Sequence, residues 1–174
     1  MTTALITIEG VLGEYSPIHG FFPIIEGVRL AHALRSGYRI ILGTSQATEE
    51  AVEHWLLING MSRPNFYEDL MCRRAPQIDV DSSSLQAQFA HQLRSAGVDV
   101  GLVVASDPQT ILKVTEMGFP SLLFVNPSYR WGEYRPDHRR LPRPWQDIDD
   151  EMTRQRELRA TDPRLNEEEE VERI

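Results

Sequence analysis

The chain has 174 residues, of which 41% are hydrophobic and 25% are charged, and this composition predicts one ordinary globular domain with an extension. No apolar run approaches the length of about 18 residues that a membrane-spanning helix needs, so we expect no contact with a membrane. The formal net charge of −8 disfavours nucleic-acid binding by the whole chain, although a local basic patch would still permit it. Cys72 is the single cysteine, and the N-terminus shows no secretory leader, so we expect a reducing, cytoplasmic setting.

The first part of the sequence alternates short apolar runs with segments of helical periodicity. In chain order these are a strand from residue 4, a helix over 26–35, a strand over 38–42, a helix over 47–59, a strand over 65–72, a helix over 82–96, a strand over 100–105, a helix over 109–117 and a strand over 121–125. Residues 14–23, rich in Gly, Pro and aromatic residues, are predicted as a loop. The alternation predicts an α/β fold, a three-layer domain with a five-stranded parallel sheet.

The composition changes at residue 128, so we predict a domain over 1–127 and an extension over 128–174. The stretch 129–145 holds five Arg, three Pro and four aromatic residues, and 147–159 is a candidate charged helix. We predict that this arm contacts a protein partner, because Arg and Trp are favoured at interfaces. Packing on the domain itself and nucleic-acid binding stay open. The predicted contact residues are Arg130, Trp131, Arg139, Arg140 and Trp145.

Polar side chains follow three of the predicted strands. They are Thr7 and Glu9 after the first strand, Thr44 and Ser45 after the second, and Ser106 and Asp107 after the fourth. Open α/β sheets bind their ligands at the carboxyl ends of their strands. These residues therefore form the candidate site.

Their spacing resembles the motifs of the haloacid dehalogenase (HAD) superfamily of phosphotransferases. Thr7-Ile8-Glu9-Gly10 aligns with the family's Asp-x-Asp-Gly, Thr44 with its second motif, and Ser106-Asp107 with its fourth. The resemblance covers residues 3–126, and no segment is long enough for a cap domain. It is strongest for the capless phosphatase domain of polynucleotide kinase and similar phage proteins, which implies the host cytoplasm if the chain is phage-encoded.

The first and third motifs depart from the family pattern. Thr7 stands where the family has its nucleophilic Asp, and a hydroxyl needs an adjacent base before it attacks phosphorus. Glu9 stands at the general-acid position, where one extra methylene moves the carboxyl by about 1 Å, enough to cost about two orders of magnitude in rate. The third-motif Lys is absent from 82–88, which leaves Arg73 or Arg74 as a substitute.

The second and fourth motifs are closer to the family pattern. The resemblance implies that Thr44 and Ser45 hold phosphate, and that Glu9 and Asp107 hold Mg²⁺ if a metal site survives. The same residues also suit structural roles, because Thr44 and Ser45 precede a helix, and Asp107 followed by Pro is an ordinary helix start. The predicted cofactor is therefore Mg²⁺ or none.

Joint loss of the nucleophile and the Lys leads to our first hypothesis, a HAD-like domain without phosphatase activity that acts as a binding or assembly module. The first alternative is a Mg²⁺-dependent phosphohydrolase with an altered site, acting on a polynucleotide 3′-phosphate or a nucleotide. The second alternative is a protein that binds nucleic-acid ends without catalysis.

Overall fold

A computed structural model describes residues 1–16, 20–45, 49–73 and 82–126, together with the single residues 146, 148, 150 and 154. Contacts within the chain divide it into two units, Met1–Pro136 and Asp137–Ile174. In the second unit the four single residues are helical, in or beside the segment predicted as a charged helix. The predicted domain boundary at residue 127 lies outside the described residues, and so do the predicted arm contacts Arg130, Trp131, Arg139, Arg140 and Trp145.

The described part of the first unit contains all nine predicted strands and helices and two further strands. The elements are β1 (Thr3–Thr7), β2 (Gly13–Ser16), β3 (Gly20–Pro23), α1 (Ile25–Leu34), β4 (Arg39–Thr44), α2 (Glu49–Ile58), β5 (Asp69–Cys72), α3 (Ser82–Ser95), β6 (Val100–Ala105), α4 (Pro108–Glu116) and β7 (Ser121–Leu123). The third and fifth predicted strands, β5 and β7, are shorter than expected. Within the described residues, no helix is long and apolar enough to cross a membrane.

Five strands form one parallel sheet in the order β5-β4-β1-β6-β7. The central strand β1 pairs with β4 on one side and with β6 on the other, so that Thr7 lies opposite Gly43 and Ile6 lies opposite Val104. The chain therefore builds the sheet outward in one direction with β4 and β5, and in the other with β6 and β7. This topology confirms the predicted α/β fold and places a switch point beside the carboxyl end of β1.

Alternate side chains of β1 face two separate hydrophobic cores. Ala4 and Ile6 pack in the core that includes Ala31 of α1 and Leu56 of α2. Leu5, which points to the other face, packs in the core that includes residues of α3 and α4. Because successive strand residues point to opposite faces, this burial of every residue of β1 produces the predicted three layers.

The prediction of a loop over 14–23 is wrong. The described parts of this segment form an antiparallel pair of strands, β2 and β3, with Glu14 opposite Phe22. The aromatic residues at Tyr15, Phe21 and Phe22 favour strands. Of the residues that suggested a loop, Pro23 pairs with Gly13 at the open end of the hairpin and Gly20 pairs with Ser16 at the other end, where a ladder tolerates them.

Gly27→Ala is expected to destabilise the domain by about 1–3 kcal/mol, the usual cost of overpacking. A Cβ at this position of α1 would lie 1.7 Å from the carbonyl oxygen of Val11, so the helix would have to move away from the loop after β1. Urea denaturation of the two proteins measures the difference.

Gly37→Ala is the matched control, because nothing lies within 4 Å of a Cβ built there. In a helix without close neighbours, replacing glycine by alanine stabilises by about 1 kcal/mol. If Gly27→Ala stabilised the domain in this way, the close packing of α1 against Val11 would be contradicted.

Candidate functional site

The polar residues at the three strand ends lie together at the carboxyl edge of the sheet. A cavity of about 290 Å³ opens there, and its lining includes Thr7, Glu9, Ser45, Ser106 and Asp107. Thr44 is fully buried and contacts this group through Glu9. The structure therefore brings together the residues predicted from the first, second and fourth motifs, at the switch point of the sheet.

The Glu9 carboxylate is bound by two donors at the end of β4. Its Oε1 atom accepts a hydrogen bond of 2.5 Å from the Thr44 hydroxyl and one of 2.9 Å from the backbone N–H of Ser45. A hydroxyl–carboxylate bond of this length is in the charge-assisted range. These are the donors that the HAD resemblance assigns to phosphate, and in this structure a carboxylate of the chain itself occupies them.

The backbone around Glu9 is tied to the loop that follows β6. The Ser106 hydroxyl donates a hydrogen bond of 3.1 Å to the carbonyl oxygen of Glu9. Gly10 has a φ of 76°, and a Cβ there would lie 2.0 Å from Ser106 Oγ. Both the left-handed conformation and the close approach require glycine, so this residue fixes the course of the chain past the cavity.

The Asp107 carboxylate caps α4, as its sequence context predicts. Its Oδ2 atom accepts hydrogen bonds of 2.8 Å from the backbone N–H of Thr110 and of 2.9 Å from the Thr110 hydroxyl. Pro108 follows as the first helical residue. This cap holds the carboxylate at the cavity wall and confirms the structural role, whereas the predicted metal role stays a prediction.

Gln86 is a site residue that the sequence analysis missed. This residue of α3 lines the cavity at 2% exposure, and its amide packs so closely over β4 that a Cβ at Gly43 would lie 2.4 Å from Gln86 Oε1. It falls within 82–88, where the resemblance expects the third-motif Lys. The available signal was its helical spacing, because Gln86 lies three residues before the buried Phe89 and therefore on the buried side of α3.

Two buried polar groups of this cavity lack hydrogen-bond partners among the described residues. They are the hydroxyl of Thr7, a residue that is 8% exposed, and both polar atoms of the Gln86 amide. Thr7 and Gly43 are opposed in the β1–β4 ladder, so hydroxyl and amide belong to neighbouring positions on the same face of the sheet. Thr7, at the nucleophile position of the resemblance, and Gln86, within the segment where the resemblance expects the Lys, are therefore both neutral.

The carboxyl edge of the sheet is acidic. The described lining of the cavity includes the carboxylates of Glu9, Glu14 and Asp107, and no lysine or arginine. Burial, and secondarily the carboxylates of Glu49 and Glu9, raises the pKa of the Cys72 thiol to about 11. An anion entering the cavity would therefore meet like charge.

Neither arginine predicted to replace the missing Lys lies in the described wall of this cavity. Arg73 is exposed and lines a separate cavity with Glu49 and Asp69. Arg74 lies outside the described residues. The predicted role of these residues in phosphate binding stays untested.

The described carboxylates do not fit the Mg²⁺ site that the resemblance implies. Thr7 removes one carboxylate, and the remaining pair, Glu9 and Asp107, each commits an oxygen to hydrogen bonds within the chain. Among the described residues, no group of three or more His, Cys, Asp or Glu is placed to hold a metal ion. Mg²⁺ demands near-ideal octahedral oxygen geometry, which this donor set does not provide.

Glu9→Ala is expected to lower the free energy of unfolding by about 1–3 kcal/mol, because the buried Thr44 hydroxyl loses its charged acceptor. Glu9→Gln keeps an acceptor oxygen and is expected to lose less. Urea denaturation at pH 7 measures both variants, with Glu14→Gln as a control at an exposed carboxylate of the same cavity. A gain in stability on Glu9→Ala would contradict the structural role of this carboxylate.

Cys72 is expected to react slowly at neutral pH, because its raised pKa leaves it protonated. At pH 8 a pKa of about 11 leaves roughly one thiolate in 1000 molecules, against roughly one in 10 for a thiol with the reference pKa of 9.0. Alkylation of the folded protein by iodoacetamide should therefore be about 100-fold slower than that of the urea-unfolded chain, and about tenfold faster for each pH unit from 8 to 10. A rate independent of pH in this range would contradict the raised pKa.

Comparison with known proteins shows similarity in structure but not in sequence. No protein-family model matches the chain, and no curated protein is significantly similar to it. A chain of the Pnkp1/Rnl/Hen1 RNA repair complex superposes with a TM-score of 0.60 at 12% identity, over 74% of this chain. The match spans only 43% of that longer chain.

Two HAD proteins superpose over nearly their whole length. A HAD family enzyme from Bacteroides thetaiotaomicron, solved with magnesium and inorganic phosphate, gives a TM-score of 0.53 at 11% identity, over 78% of this chain and 99% of that one. A HAD-like hydrolase from Streptococcus pneumoniae gives a TM-score of 0.51 at 14% identity, over 79% of this chain and 92% of that one. Together with the five-stranded parallel sheet and its four helices, these similarities show that the chain has a HAD-like fold.

Proposed function

We propose that this HAD-like domain has lost phosphatase activity and serves as a binding or assembly module. The observation that carries the proposal is the hydrogen bonding of Glu9, whose carboxylate occupies the Thr44 and Ser45 donors. A phosphate group would have to displace a charge-assisted contact inside the protein and would then face the displaced charge. This arrangement supports a site that no longer accepts phosphate.

The surroundings of Thr7 argue against a replacement nucleophile. A hydroxyl attacks only when a base lies within hydrogen-bond reach, about 2.6–3.2 Å. No hydrogen-bond partner of Thr7 Oγ1 is present among the described residues, and Oε1 of Glu9, two residues further along the chain, is bound to Thr44 and Ser45. Thr7 therefore has the geometry of a buried strand residue.

The charge of the cavity argues in the same direction. Phosphoryl transfer develops negative charge that enzymes stabilise with Lys, Arg or metal ions. In the segment where the resemblance expects the Lys, the residue that reaches the cavity is the neutral Gln86, and the described cavity wall carries three carboxylates. The described wall lacks the cations that such a transition state requires.

A second candidate function is the recognition of nucleic-acid ends within a repair assembly. It is favoured by the fold similarity to a chain of the Pnkp1/Rnl/Hen1 RNA repair complex, which spans 43% of that chain. In either case we propose that the arm over 129–145 provides the contact, since its Arg and aromatic residues suit protein hot spots or the backbone and bases of a single strand.

Phosphate release with Mg²⁺ present tests the loss of activity. The substrates are a generic phosphomonoester and a 3′-phosphorylated oligonucleotide, and the wild type runs beside Glu9→Ala and Asp107→Ala. We expect no release above the level of the variants, because Glu9 occupies the phosphate donors and the described cavity wall holds no cation. Release by the wild type that both variants abolish would overturn the proposal.

A double variant, Thr7→Asp with Gln86→Lys, tests in the same assay whether activity can be restored. The variant introduces the Asp and the Lys that the family pattern contains. If only this variant releases phosphate, the lack of activity in the wild type is due to these two positions. Binding of the oligonucleotide by the wild type without release would favour the second candidate function.

A further inference from the structure

The bottom of the cavity presents hydrogen-bonding groups that the described part of the chain does not satisfy. Gln86 is 2% exposed and Thr7 is 8% exposed, and neither the amide nor the hydroxyl has a partner among the described residues. A buried polar group without a partner destabilises a fold, so native structures rarely keep one unless water or a ligand satisfies it. The two groups line one cavity, so one occupant would reach both.

The negative charge of the cavity favours an occupant of positive charge. Glu9, Glu14 and Asp107 contribute carboxylates to the described lining, and no described lining residue is basic. Of these carboxylates, Glu9 also helps to raise the pKa of the Cys72 thiol, after burial and Glu49. A cation is favoured here for the same reason that phosphate is disfavoured.

The arrangement of the carboxylates favours an organic cation over a metal ion. They do not converge into a group of three metal ligands among the described residues. A molecule with several N–H donors can instead reach separate acceptors, such as the exposed Glu14 at the rim and the Gln86 amide oxygen at the bottom. The volume of about 290 Å³ lies at the low end for ligand pockets, so the molecule is small.

We propose that this cavity binds a small organic cation with primary ammonium or guanidinium donors, held by Gln86 and Thr7 at the bottom and by the carboxylates of Glu14 and Asp107. The proposal rests on the function proposed above, because it assigns a ligand class to a HAD-like cavity that no longer takes phosphate. It changes the expected ligand from an anion to a cation while the fold stays the same.

Isothermal titration calorimetry of the full chain tests the proposal with two probes. Putrescine carries two primary ammonium groups, and agmatine carries one ammonium and one guanidinium. Butane-1,4-diol is the neutral match of putrescine, and MgCl₂ and inorganic phosphate are titrated separately. We expect binding of at least one of the two cations, at least about tenfold tighter than that of the diol.

Three variants locate the binding. Gln86→Leu removes the amide at similar size, and Glu14→Gln removes only charge from an exposed residue, so both should fold; each is expected to weaken binding by about tenfold. Glu116→Gln, at the far end of α4 from Asp107, is the matched control and should change the affinity by less than about twofold. Urea denaturation verifies that Gln86→Leu is at least as stable as the wild type, since it exchanges an unsatisfied amide for an apolar group.

Absence of binding by both cations, or binding that Gln86→Leu and Glu14→Gln leave unchanged, would overturn the proposal. So would Mg²⁺ binding that displaces the cations, because the cavity would then be a metal site. Phosphate release in the assay described above would overturn the proposed function as a whole. A chain that neither releases phosphate nor binds the amines would keep that function and lose only the ligand assignment.

Discussion

The burial of β1 is the constraint on which the rest of the structure depends. Every residue of this strand, Thr3–Thr7, is buried, and its backbone groups are satisfied only because β4 and β6 pair with it on both sides. Two cores must therefore cover its two faces, which requires helices on both sides of the sheet. The chain can become polar only where β1 ends, and that point is the switch point where Glu9, Thr44 and Asp107 meet.

This geometry places the Glu9 carboxylate within hydrogen-bond distance of donors at the end of β4. Glu9 keeps a carboxylate near the position where the HAD resemblance expects an acid, yet its Oε1 atom binds the hydroxyl and N–H at the end of β4. The Thr44 hydroxyl and the Ser45 N–H can donate to any anion, whether it belongs to a substrate or to the chain itself. Glu9 thus contributes to stability whatever the site does, since the buried Thr44 hydroxyl needs an acceptor.

The fold of this chain is shared with HAD proteins, whereas a small number of positions decide the chemistry of its cavity. The described sheet and helices superpose on HAD proteins at identities of 10–14%, while two neutral side chains, Thr7 and Gln86, line the cavity at the end of β1. Sequence similarity is lost before the fold because hydrophobic periodicity, helix ends and strand order tolerate most substitutions. The cavity persists as a consequence of the strand order, and its lining decides what it accepts.

The sequence by itself determined the strands and helices of the parallel sheet, the cap at Asp107 and the set of strand-end residues, because periodicity, glycines and capping are local signals. It did not determine the hairpin of β2 and β3, because the aromatic residues that favour strands lie there among glycine and proline residues that favour a loop. Only the tertiary structure decided that Glu9 binds Thr44, 35 residues away, and that Gln86 of α3 reaches the cavity over Gly43. These contacts depend on how helices pack against strands distant in sequence, which no local pattern encodes.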